Sequence, residues 1–165
     1  GRLLITLMLI NDGVLHSCLF YPSFQFKKNR SEYYRQLTSV RERGTFEEWI
    51  EFFCASLLES AKDSVGSLKS LVDLHNRSTS VITEKLGKAV ANGQRLLSLL
   101  EEHPIVDTAF IAAQLDIGRS TASSLVKSFE ELNILCPLDE SKQRYRQYGY
   151  EEYLSILRED ADPIR

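Results

Sequence analysis

Arg119, Ser120, Ser123, Ser124 and Lys127 fall within nine residues at spacings of three and four, and Lys142, Arg144 and Arg146 follow soon after. On a helix that spacing puts the first five on one face. Guanidinium and ammonium groups at such positions hold phosphate oxygens, and serine hydroxyls donate to phosphates or base edges. The chemistry suggested is docking on a nucleic-acid backbone, against the alternative of a solvated polar face on a small domain. Regional charge argues for caution: from Gln94 onward eight Lys and Arg stand against thirteen Asp and Glu, a net of −5. Nucleic-acid binders usually carry a basic footprint. Only the local cluster, Arg119, Ser120, Ser123, Lys127, Arg144 and Arg146, fits that chemistry.

The elements that must position this cluster are legible from periodicity. Ala122, Leu125, Val126, Phe129 and Leu132 form an apolar stripe opposite the polar face. Ahead of it, Phe110, Ile111 and Leu115 mark a shorter helix. The turn Asp116-Ile117-Gly118 joins the two, with Gly118 expected to supply the reversal because it has no Cβ. Small Ala112 and Ala122 should let the helices approach closely. A helix over Gln94–Glu102, carrying Leu96, Leu97, Leu99 and Leu100, ends at His103-Pro104. Ile134-Leu135-Cys136 and Arg144–Tyr148 read as two short strands around the polar turn Asp139–Lys142. Three helices and a hairpin make a winged helix-turn-helix over residues 94–158.

The first half reads as all α. Arg2–Ile10 is apolar almost all round and should be buried as a central helix. A helix over Ser31–Arg43 should turn Tyr34, Leu37 and Val40 inward and close at Gly44. Thr45-Phe46-Glu47-Glu48 has the pattern of a capping box. The helix it starts carries Phe46, Trp49, Ile50, Phe53, Leu57 and Leu58. It is expected to continue, interrupted near Gly66, as a connecting helix over residues 61–93.

Three stretches of this half resemble the C-terminal part of Fic-domain proteins. They are Gly1-Arg2-Leu3-Leu4-Ile5-Thr6-Leu7, Phe26-Lys27-Lys28-Asn29-Arg30-Ser31-Glu32-Tyr33-Tyr34 and Trp49-Ile50-Glu51-Phe52-Phe53. In bacterial members of that family a winged helix often follows. The resemblance implies a mainly α chain: a helical Fic-type part over residues 1–60, the connecting helix, then the winged helix with its small β-hairpin. It implies a protein adenylyltransferase, moving AMP from ATP to a hydroxyl of a target protein with Mg²⁺ as cofactor. The family signature is HPFxDGNGRxxR. Gly1-Arg2 matches only its end, so Arg2 would be the last arginine, facing a phosphate. Tyr33 and Tyr34 resemble the segment lining the nucleotide pocket. The base, acid and phosphate loop are not in this chain, so by itself it should not transfer AMP. The absence of an initial Met, with an apolar helix entered at once, suggests a piece of something longer. The family also includes members that transfer other phosphate-containing groups.

A second reading is a winged-helix DNA-binding or regulatory protein whose helical half is a homodimerisation platform. A third has the winged helix dock on a catalytic half and set its activity.

Bulk properties bound these readings. The 165 residues are 43% apolar with a net charge of −3, which suits a globular chain and gives no reason for a membrane-surface partner. Cys18, Cys54 and Cys136 are odd in number and set among apolar neighbours, so they read as buried thiols. His16, His75 and His103 have no metal-ligand spacing. No apolar run approaches the ~20 residues of a membrane helix, and the expected location is cytoplasmic.

Overall fold

The structure, a computed structural model, describes residues 2–15, 22–139 and 146–159. They form α1 (Arg2–Asn11), α2 (Pro22–Lys28), α3 (Arg30–Arg43) and α4 (Phe46–Lys85). A 3-10 turn at Gly87–Ala89 leads to α5 (Val90–Glu102), β1 (Ile105–Asp107), α6 (Thr108–Leu115) and α7 (Arg119–Glu131). β2 (Cys136–Pro137), β3 (Gln147–Gly149) and α8 (Glu151–Glu159) complete the described elements. The protein is mainly α, with one small antiparallel sheet in the order β1-β3-β2. Among the described residues no helix is long and apolar enough to cross a membrane. The described chain divides into two compact units, one over Ser70–Arg158 and one over the residues up to Lys69 together with Glu159.

The second unit has a dense apolar core. α7 presents Ala122, Leu125, Val126 and Phe129 as one stripe, and all four are buried. They meet Leu96, Leu97 and Leu100 of α5, Ile111 of α6, and Leu74 and Ile82 of α4. Ala112 and Ala122 are buried as expected from their size. β1, unforeseen in the sequence, pairs Val106 with Tyr148, while β2 pairs Pro137 with the same residue from the other side. Tyr150 closes the unit: its amide donates to the Pro104 carbonyl at 2.8 Å and its hydroxyl lies 2.9 Å from Ser78 Oγ. Burial pushes the Tyr150 hydroxyl above the ordinary tyrosine range, with the Ser78 hydrogen bond pulling the other way. The Tyr153 ring stacks on Tyr150, and its hydroxyl donates to the Glu101 carbonyl at 3.0 Å.

The first unit covers less of its apolar surface than expected, with Val40, Trp49, Phe53 and Leu57 half-buried. Leu4, Leu7 and Met8 of α1 are exposed while Thr6 is buried. On α3 Tyr34 and Leu37 point outward, and Gln36 and Ser39 are the buried pair. On α4 Ser56 and Ser60 are buried whereas Phe46, Ile50 and Leu58 are exposed. Buried polar groups need partners, and here most have them: Gln25 Nε2 donates to Asp63 Oδ2 at 2.5 Å, and Ser56 donates to the Phe52 carbonyl. The Thr45 hydroxyl meets Ser39 Oγ at 2.7 Å rather than forming the reciprocal pair expected with Glu48. α4 passes Gly66 without interruption and ends at Lys85, so the expected break lies twenty residues too early. Its break comes instead at Gly87, where φ is +50°. Cys54 and Cys136 are exposed, not buried, and Cys18 lies outside the described residues.

Candidate nucleic-acid interface

The start of α6 is built by Asp107. With φ −119° and ψ 166°, it is extended, and its Oδ1 accepts from the Phe110 amide at 2.7 Å. An aspartate in that position satisfies an otherwise orphaned helix amide and opposes the positive end of the helix dipole. Asp107→Ala is expected to cost about 1 kcal/mol of stability in the second unit. A thermal unfolding scan should show a drop of roughly 4–8 °C; an unchanged midpoint would remove the cap from the account.

The turn after α6 corrects the expectation about glycine. Asp116 takes the left-handed conformation at φ 52°, and its amide reaches back to the carbonyls of Ala112 and Ala113. Gly118 is extended at φ −62° and ψ 147°, preceding the first turn of α7. Aspartate is among the few residues besides glycine that visit the left-handed region readily. Arg95 supports the same turn, donating from its guanidinium to the Leu115 carbonyl at 2.6 Å.

These two helix starts and β3 bring Arg119, Ser123 and Arg146 to one hollow of about 440 Å³, together with Asp107, Thr108 and Ala109. Arg119, Ser123 and Arg146 are all exposed. Two guanidinium groups face the hollow together with one carboxylate, which serves the Phe110 amide. Ser120 and Lys127 are exposed on the same helix but do not line it. Ser124 donates to the Ser120 carbonyl at 3.1 Å, so its hydroxyl is engaged by its own helix. Lys142 and Arg144 lie outside the described residues. Sequence reasoning missed Thr108 and Asp107 as lining groups. The available signal was the Asp-Thr pair directly before an apolar-periodic run, a helix-start signature.

The other candidate residues are in the first unit. Tyr33 is half-buried among aromatic rings: Phe26 at 5.3 Å, Trp49 at 5.5 Å and Tyr34 edge-on at 5.5 Å between centroids. Phe53 stacks on Phe26 at 5.6 Å. Tyr34 is exposed, with the Arg30 guanidinium 5.7 Å from its ring centre. Arg2 belongs to α1, but its side chain lies outside the described part. Among the described residues no three His, Cys, Asp or Glu side chains are grouped to hold a metal ion. A comparison of the chain with models of known protein families finds no match.

Proposed function

We propose that the chain is the C-terminal part of a Fic-type protein adenylyltransferase and ends in a winged helix-turn-helix. The observation supporting it most is the aromatic cluster of the first unit. Phe26, Tyr33 and Tyr34 come from one of the three resembling stretches, Trp49 and Phe53 from another, and their rings stand within 5.3–5.6 Å of a neighbour in the cluster. Two of the three resembling stretches thus share one packing site. The order α5, β1, α6, α7, β2, β3 in the second unit supports the winged-helix part of this reading. The groups that would hold ATP and Mg²⁺ in the HPFxDGNGRxxR signature are not among these 165 residues, beyond the arginine that Arg2 would supply. No step through either is therefore derived, and this chain alone is expected to be inactive. The test is to read the coding sequence upstream of Gly1 and assay the product that includes it with α-labelled ATP. The expected result is an upstream HPFxDGNGR stretch and label on protein that depends on its histidine. An upstream frame without that stretch would overturn the reading, as would labelling by these 165 residues alone.

A second activity on the same chain is favoured by the hollow at Arg119, Ser123 and Arg146, whose chemistry suits a phosphate of duplex DNA. Arg119→Ala and Arg146→Ala are each expected to weaken binding about 5–10-fold at low salt and lower the salt slope by about one. Binding should fall with salt at a log–log slope of about −0.9 for each phosphate contact. Fluorescence anisotropy across a salt series reads both effects. No binding at low salt, or variants indistinguishable from wild type, would dismiss it.

A further inference from the structure

We propose that the outer face of α4 within the first unit is a self-association surface, on which a second copy of the chain packs antiparallel. The proposal is independent of any family assignment. Ile50, Cys54, Leu58, Ala61, Val65 and Leu68 follow one another at steps of four, four, three, four and three. From Cys54 onward this is the 3.5-residue repeat that keeps an apolar seam facing a partner helix. The seam lies about a third of a turn away from the buried serine side, Ser56 and Ser60, so the packing inside the unit leaves it open. Ile50 is 55% exposed, Leu58 56%, Val65 50% and Leu68 42%.

The area and the charges both fit a second copy. About 80 Å² remains open on each of these four side chains, and Cys54, Ala61 and the stems of flanking residues bring each copy to roughly 500 Å². Two copies then bury on the order of 1,000 Å², the lower bound for a specific interface. The seam's flank is acidic at its start, with Glu47 and Glu51, and carries Lys69 further along, all three exposed, while Lys62 is paired with Glu59 at 2.8 Å. A parallel pair would set like charges side by side. An antiparallel pair brings Glu51 of one copy opposite Lys69 of the other, and the two helix dipoles oppose. In that register Cys54 faces Val65 of the second copy, while the two Cys54 residues are separated by roughly 16 Å along the axis at 1.5 Å per residue.

Sedimentation equilibrium of the chain, 18.9 kDa as a monomer, is the first measurement. The expected result is a dimer that Leu58→Glu with Val65→Glu returns to monomer at unchanged helical ellipticity. Mild oxidation in a Cys18→Ser, Cys136→Ser background then reads orientation. Adding Val65→Cys should give a rapid intermolecular disulfide with Cys54, and omitting it should give none. A monomer at all concentrations would overturn the proposal and leave the seam to a different polypeptide. A dimer indifferent to the glutamates would overturn it too, as would rapid Cys54–Cys54 cross-linking, the mark of a parallel pair.

Discussion

Phe129→Ala is expected to destabilise the second unit by about 3–5 kcal/mol, the range for emptying a fully buried phenylalanine site. Phe129 is 0% exposed, and its carbonyl also accepts from the amides of Ile134 and Leu135 as the chain leaves α7. The side chain is enclosed by α5 and the end of α4 as well as by its own helix, so no single element can collapse into the space. The backbone bonds survive the substitution, which confines the loss to packing. Urea unfolding of the whole chain, followed by far-UV circular dichroism, measures the change. A loss below about 1 kcal/mol, the scale of an ordinary surface or marginal substitution, would mean that the α7 stripe is not the centre of this core.

The second large effect comes from adding atoms. A Cβ on Gly93 would stand 2.6 Å from Leu86 Cδ1 and 2.9 Å from Ile82 Cγ2. Leu86 is half-buried and its terminal methyl can swing away. Ile82 is 0% exposed, and its γ-methyl moves only if the whole branched side chain turns. Gly93→Ala therefore combines a clash with a helix-propensity gain of about 1 kcal/mol, and the two nearly offset. Gly93→Val adds two more methyls and forfeits part of that gain, giving an expected loss of about 2–3 kcal/mol. Comparing the two variants by urea unfolding separates crowding from propensity. Equal stability of both would show that α5 can back away from α4 at little cost.

Legibility in the sequence followed the physics of each unit. The α7 stripe was read correctly because Ala122, Leu125, Val126 and Phe129 leave only one apolar face to bury. On α3 and α4 periodicity identified which residues share a face but not which face is covered. Tyr34 and Leu37 do share a side, yet it is Gln36 and Ser39 that the first unit encloses, through bonds to Glu32, Thr45 and Arg43. β1 escaped notice because three residues after a proline carry no alternation; Val106 owes its burial to Tyr148, forty-two residues later in the chain. The hollow was half legible. Helical spacing brought out Arg119 and Ser123, and the basic run brought out Arg146. Their convergence with Asp107 depends on a strand that sequence alone did not disclose.

The pairing of β1 with β3 also sets an order of events in folding. α6 and α7 meet across a three-residue turn, a closure that costs little chain entropy. β1 must wait for a segment about forty residues away, and the Tyr150 bonds to Pro104 and Ser78 span still longer loops. Non-local closures of this kind come late and slow the approach to the native state. In pulse-labelling hydrogen exchange during refolding, amides of α7 should gain protection before those of Val106 and Tyr150. Simultaneous protection would mean that the sheet belongs to the nucleus itself, and the C-terminal strand would then be where folding starts rather than where it is sealed.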